Sequence, residues 1–281
     1  MKDAITVIDE AIQEAIASIG RTTTLEEINK IGITKKEVIK YEFKEEKIQI
    51  VPLTDPHFGH KASNVEMLGA MVKYILQTEN CYTVLLGDLM EVATKTSIGT
   101  GAYSQAIHFG AQIKLIYKLL KPLADAGKIL GGVTGNHEMR AMYSLALNPM
   151  SELCDKLQVP YLGFQGYLLL NVNKHIHTVM LYHGKGGGST PAGKLNAMYK
   201  ASKVANVDLY LTGHTHTKMY DREQYYTIDK ETGELITKTR HYATCGSMLN
   251  YWDNYSEMSL LPPEELGLIS IELSDVIKVT V

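Results

Sequence analysis

The chain has 281 residues, 45% of them apolar and 21% charged, a length that suits one large domain or one domain with a small appendage. Its net charge of −3 disfavours a protein that holds nucleic acid mainly by bulk electrostatic attraction. No apolar run reaches the roughly eighteen residues of a membrane span, no basic-then-apolar leader is evident, and three widely spaced cysteines (Cys81, Cys154, Cys245) fit a reducing, cytoplasmic setting without disulfides.

Residues 3–18 carry Ile5, Ile8, Ala11, Ile12, Ala15 and Ile16 at helical spacing and read as an amphipathic helix. After a break at Gly20-Arg21-Thr22, Thr24 has the place of an N-cap with Glu27 at the capping-box position, and this second helix should stop at Gly32. Thr34 with Glu37 repeats the signal for a third helix. Short helices joined by a glycine-containing turn have the sequence shape of a helix-turn-helix. Residues 1–45 are therefore expected to form a helical appendage, read either as a DNA contact or as a packing and oligomerisation element. Its lysines are offset by glutamates, whereas a DNA reader usually shows a clearer basic face.

From Lys47 onward strands alternate with helices. Residues 64–77 and 103–123 have helical spacing, the latter through Ile107, Ala111, Leu115 and Leu119. Beyond residue 205 the chain reads mostly as strands, including 224–228, 235–243 and 267–273, with Thr232-Gly233 as a hairpin turn. Five apolar runs each end on metal-ligand side chains. Residues 48–54 lead into Asp55-Pro56-His57, and residues 83–86 into Gly87-Asp88. Residues 129–134 lead into Gly135-Asn136-His137-Glu138, 178–182 into His183-Gly184, and 209–212 into Gly213-His214-Thr215-His216. Strands that share a sheet would bring such ends to one crevice.

Asp55 with His57, and His214 with His216, are two apart, so each pair points one way in extended chain. A carboxylate such as Asp88 has two oxygens and can bridge two cations. Mixed imidazole, carboxylate and amide ligands suit manganese, iron, zinc, cobalt or nickel better than calcium or magnesium.

Taken in order, these motifs resemble the calcineurin-like metallophosphoesterase superfamily. Its pattern is Asp-x-His, Gly-Asp-x-x-Asp/Asn, Gly-Asn-His-Asp/Glu, a lone His, then Gly-His-x-His, and the match runs over residues 55–216. The resemblance implies an α/β (α+β) fold for residues 46–281, a four-layer β-sandwich flanked by helices with its site on the loops at one end. It implies a hydrolase using two divalent ions, manganese foremost. One ion would be held by Asp55, His57, Asp88 and His216, the other by Asp88, Asn136, His183 and His214. His137 would act on the phosphate, with Asp88 or Glu138 orienting it, which makes Asp88 and His137 the candidate catalytic residues. The second motif departs from the pattern, with Glu91 where Asp or Asn is usual.

Lys185, in Gly184-Lys185-Gly186-Gly187-Gly188, and Arg140, just past Glu138, are candidates to bind substrate phosphate. His60 is a candidate to line the cleft. His108, His175, His177 and His241 read as surface or strand residues. The polar loop 94–101 is placed to shape access. The first functional reading is a phosphodiesterase or nuclease acting on nucleic acid, since Asp55-x-His57-x-Gly59 looks like the first motif of the superfamily's DNA-repair nuclease branch. The second is a phosphomonoesterase acting on a phosphoprotein or small nucleotide, suggested by the Gly-Asn-His-Glu form of the third motif. A non-catalytic DNA-binding or assembly module is the third. The partner expected is a phosphoester substrate, DNA among the candidates, with no membrane, and the oligomeric state is open.

Overall fold

The computed structural model describes residues 36–94, 97, 101–186, 188–252 and 255–281, together with scattered positions between residues 6 and 17. Those scattered positions are α-helical, as the spacing of residues 3–18 predicts. The second helix and its turn, hence the helix-turn-helix expectation, lie outside the described residues. Val38–Val281 forms one compact unit, distinct from Met1–Glu37.

The third helix expected from Thr34 does not continue into the described residues. Residues 36–38 have no regular structure, and β1 (Ile39–Phe43) is a strand. Its alternation explains this: Ile39, Tyr41 and Phe43 face the core, which suits period two rather than a helix. Strand β1 pairs in parallel with β5 (Gln165–Val172), so it belongs with the large unit even though it precedes residue 46.

Two sheets form the middle of the large unit. The smaller has five strands in the order β12 (Ile277–Thr280), β11 (Ser270–Leu273), β2 (Ile48–Ile50), β3 (Cys81–Leu85) and β4 (Ile129–Gly132). The larger has seven, in the order β1, β5, β6 (His175–Tyr182), β7 (Leu209–Thr212), β9 (Leu235–Ser247) and β10 (Gly267–Leu268), with β8 (Lys218–Ile228) paired to β9. The β8–β9 hairpin closes where Thr232-Gly233 predicts it: Gly233 has φ 74° and its N–H donates to Asp229 O at 2.8 Å.

The sheets pack face to face through Ile48, Ile50, Val84, Leu130 and Ile271 of one and Leu168, Val179, Leu181, Leu209 and Leu211 of the other. Helices α1 (Val65–Gln77), α2 (Phe109–Asp125) and α4 (Pro149–Leu157) cover the outer face of the small sheet through Leu68, Ile75, Ile116 and Leu153. Helix α5 (Pro191–Tyr199) covers the large sheet, with Met198 against Tyr210 and Tyr242. The four layers α–β–β–α are those expected.

Pairing is parallel across β2, β3 and β4, and again across β6, β7 and β9. The carboxyl ends of β2, β3, β4, β6 and β7 meet at one end of the sandwich, and the motif loops follow them. Helix α3 (Asn136–Leu145) starts inside the third motif.

Candidate metal centre

The chain turns sharply off each strand end. Asp55, His57, Asp88, His214 and His216 all have positive φ, between 46° and 69°. Side chains other than glycine adopt this conformation at a cost of about 1–3 kcal/mol each, so several kcal/mol of backbone strain is concentrated here. Glycines supply the close approaches. A Cβ on Gly213 would overlap Thr54 Oγ1 and Asp55 Oδ2, and one on Gly135 would overlap the Asp88 amide.

Two half-sites result. In one, His216 Nε2 lies 3.3 Å from Asp55 Oδ1 and 3.1 Å from His57 Nε2. In the other, Asn136 Oδ1 lies 2.9 Å from His183 Nε2 and 2.7 Å from His214 Nδ1. Asp88 Oδ2 joins them, 3.1 Å from His183 Nε2 and 3.9 Å from His57 Nε2. All seven sequence-derived ligand candidates thus converge.

The donor set fits cations. His183 Nδ1 sits 2.7 Å from the Leu86 carbonyl, which can only accept, so Nδ1 carries hydrogen and Nε2 aims a lone pair inward when the ring is neutral. His57 Nδ1 faces Glu91 Oε2 at 3.2 Å, with the same consequence for its Nε2. Asp55 is fully buried, and its Oδ1 has no hydrogen-bond partner. Its Oδ2 accepts from the His214 N–H at 2.9 Å and from Thr54 Oγ1. A buried, unsatisfied carboxylate oxygen facing imidazole lone pairs is costly without a positive charge beside it.

The electrostatics agree. Burial pushes the Asp55 carboxyl up, but His183, His216 and His57 reverse this and hold it well below the usual carboxylate range. Asp88 follows the same pattern, opposed by His183, His137 and His57. Burial lowers the imidazoles, yet Asp55, Glu91 and Asp88 push His57 up to about 10, and Asp88 with Asp55 push His183 up to about 9. Burial and the His183 charge pull His214 down to about 4.

His137 also lies within coordinating reach of His57 and Asp88. Both its ring nitrogens already have partners: Nε2 is 2.9 Å from Arg140 Nη2, and Nδ1 is 3.1 Å from Glu91 Oε2 and 3.0 Å from the Glu91 carbonyl. His137 thus adjoins the seven converging side chains and is held there by Glu91 and Arg140. Neither residue expected to orient it makes that contact. Asp88 Oδ2 is 3.8 Å away, and Glu138 turns back to accept from the backbone N–H groups of Asp88, Gly135 and Met90 at 2.9, 3.0 and 3.1 Å. The Glu138 carboxyl, raised by burial and by Asp88 to about 7, ties the second motif to the start of α3.

Glu91, the departure from the motif, takes that role. It touches His57 Nδ1, His137 Nδ1 and Arg140 Nη1, the last at 3.2 Å. Burial raises its carboxyl, but His137 and His57 hold it well below its ordinary value. Glu91→Gln is expected to lower metal affinity or turnover about 10- to 100-fold, as losses of such supporting carboxylates do. Metal titration alongside steady-state kinetics checks this, and wild-type values in both would remove Glu91 from the machinery.

A cavity of about 650 Å³ opens over the cluster. Arg140, His60 and Gly101 line it, the last from the loop at 94–101. Lys185 is exposed and is not part of the lining, so the structure does not bring it to the site. The lysine in the wall is Lys194, on α5, which carries no motif. The end of β9 was also missed: Ser247 Oγ and Met248 N–H donate to the Asp55 carbonyl at 2.8 and 3.2 Å. Gly246-Ser247 closing the buried end of β9 was the available signal. Of the remaining histidines, His177 is buried, with Nε2 2.7 Å from the Ser274 carbonyl, and His108 precedes α2.

No family model matches the chain, and no curated protein matches it. Solved structures of similar shape include a zinc-complexed Vps29 from Entamoeba histolytica, at 14% identity over 83% of this chain and 97% of that one, TM-score 0.42. Vacuolar protein sorting 29 from Cryptosporidium parvum matches at 12% identity over 83% and 96%, TM-score 0.41. A metallophosphoesterase from Sphaerobacter thermophilus matches at 15% over 83% and 86%, TM-score 0.38. With two packed sheets between helical layers, and the candidate ligand loops gathered at their carboxyl ends, the chain has the four-layer α–β–β–α architecture that its motifs lead one to expect.

Proposed function

We propose that this protein is a dinuclear-metal-dependent phosphoester hydrolase. The observation that carries the reading is the pair of half-sites sharing Asp88 Oδ2, with the unpartnered Asp55 Oδ1 buried between imidazoles. Asp55, His57, Asp88 and His216 would hold one ion, and Asp88, Asn136, His183 and His214 the other. When bound, such a pair supplies a water ionised near neutral pH and offsets charge on the phosphate oxygens. Glu91 orients the His137 ring through Nδ1, and Nε2, which accepts from Arg140 Nη2 at 2.9 Å, would exchange a proton with the leaving oxygen once substrate phosphate draws the guanidinium away. Arg140, on the cavity wall beside that nitrogen, is placed to bind unesterified phosphate oxygens.

The finer reading is a phosphodiesterase acting on nucleic acid, supported by Asp55-x-His57-x-Gly59. The Arg140 guanidinium favours a phosphomonoester as the second reading, since a terminal phosphate offers it more free oxygens. Hydrolysis of bis(4-nitrophenyl) phosphate against 4-nitrophenyl phosphate by manganese-loaded protein tests both. Diester preference supports the first, monoester preference the second, and failure on both with ions bound removes the hydrolase reading for simple esters.

Loading should also release protons. The carboxylates around them push His57 up to about 10 and His183 up to about 9, so in stripped protein at pH 8 both rings are expected to be protonated. Both lie above the ordinary 6.5, so these imidazolium groups stabilise the stripped fold fully below pH 6.5, and that contribution is lost as pH rises through 9 to 10. Ion binding must displace one proton from each ring and would ionise one bound water, so calorimetry in buffers of different ionisation enthalpy should report about three protons released per chain at pH 8, with affinity falling as pH falls. Binding without proton release would show that these two rings are neutral in the stripped protein.

A further inference from the structure

The cavity extends past the ligand cluster to a wall that no motif marks. Leu249, Tyr255, Leu261, Pro262 and Glu264 come from the segment after β9, and Lys194 comes from α5. At about 650 Å³ the space lies within the range of roughly 300–1,000 Å³ usual for small organic ligands, far more than a phosphate group requires. This wall therefore faces whatever is esterified to the phosphate.

Its chemistry is specific. Tyr255, Leu261 and Pro262 offer flat ring and aliphatic surface. Beside them Lys194, 7% exposed, donates from Nζ to Thr217 Oγ1 at 2.6 Å and pairs with Glu264. An ammonium has three N–H donors and a carboxylate several acceptor positions. The pair thus presents a donor next to an acceptor at the cavity surface. Because Glu264 neutralises Lys194, the pair does not call for a second anionic group, which disfavours a bisphosphate. A plain sugar offers only a puckered C–H face and no planar ring to stack on Tyr255. A planar heterocycle with a donor–acceptor edge satisfies both features. The wall is also fastened: Lys194–Glu264 and Lys218–Glu265, the latter at 3.0 Å, tie the segment to α5 and β8.

We propose that the far end of the cavity is a nucleobase subsite, so that the ester presented to the metal centre belongs to a mononucleotide unit whose base packs on Tyr255 and Leu261 and whose edge meets Lys194 and Glu264. This rests on the hydrolase reading for the position of the phosphate, but its test does not depend on turnover. Titration calorimetry would compare nucleoside 5′-monophosphates with ribose 5-phosphate on manganese-loaded full-length protein. The base should improve affinity about tenfold or more, the order that stacking on an aromatic side chain provides. Tyr255→Ala and Glu264→Gln should each cut that advantage below about threefold, and Tyr255→Phe, which keeps the ring, should retain it. Equal affinity of the wild type for a nucleotide and for ribose 5-phosphate overturns the subsite. So does a base advantage that survives both Tyr255→Ala and Glu264→Gln. Base-dependent binding in a manganese-loaded preparation inert towards both bis(4-nitrophenyl) phosphate and 4-nitrophenyl phosphate would instead remove the hydrolase reading for simple esters and leave the subsite standing.

Discussion

Asp88→Asn is expected to lower kcat/KM by about 10³-fold or more and to leave at most one ion per chain after manganese reconstitution. Asp88 is the carboxylate that reaches both half-sites, with Oδ2 near His183 Nε2 and His57 Nε2 and Oδ1 accepting from the His137 N–H at 2.8 Å. Asparagine preserves the shape and can keep the last bond, so the helix start should survive. What it removes is the negative charge that both cations of the proposed centre would share. Metal centres of this kind contribute several kcal/mol of charge stabilisation, and each 1.36 kcal/mol is a factor of ten in rate. Elemental analysis beside kinetics on bis(4-nitrophenyl) phosphate decides the matter. Two retained ions with near-wild-type turnover would show that Asp88 is not shared between the sites.

His137→Ala should have a comparable effect on rate and a different effect on metal. Turnover is expected to fall about 10²- to 10⁴-fold, the usual contribution of a positioned acid or base, while both ions remain. The ring nitrogens are engaged by Glu91 and Arg140, and the side chain lines the cavity, which suits the proposed role of facing substrate. The ring also packs edge-on against His57, with centroids 4.3 Å apart, so its removal opens space without stripping a ligand. Loss of one ion from His137→Ala would place it with His57 and Asp88 in a coordinating triad instead. The two substitutions therefore separate proton exchange from ion binding through the same pair of measurements.

The strands that carry the motifs were legible because they are buried on both faces. Ile48, Val84, Leu130 and Leu209 sit in short apolar runs closed by Gly, Asp or His, and such runs do not need their partners to be recognised. Strand β1 was read as a continuation of helix because the Thr34 and Glu37 capping signal precedes it. Its alternating Ile39, Tyr41 and Phe43 become decisive only once β5 lies alongside. The β8–β9 hairpin was visible in its turn, but its reach from Lys218 to Ser247 was not, since the strand ends are set by pairing with β7 and β10.

The seven ligand candidates could be named from sequence because each is a local property: a strand end, a sharp turn, and a side chain with a lone pair to offer. That Glu91 rather than Glu138 lies against the His137 ring, that Lys194 rather than Lys185 lines the cavity, and that the segment after β9 contributes to its wall were decided by tertiary structure alone. Each of these depends on loops from two different sheets, or from the far end of the chain, meeting within a few ångströms. That proximity comes from parallel strand ends packed across one apolar interface, and no spacing along the chain encodes it.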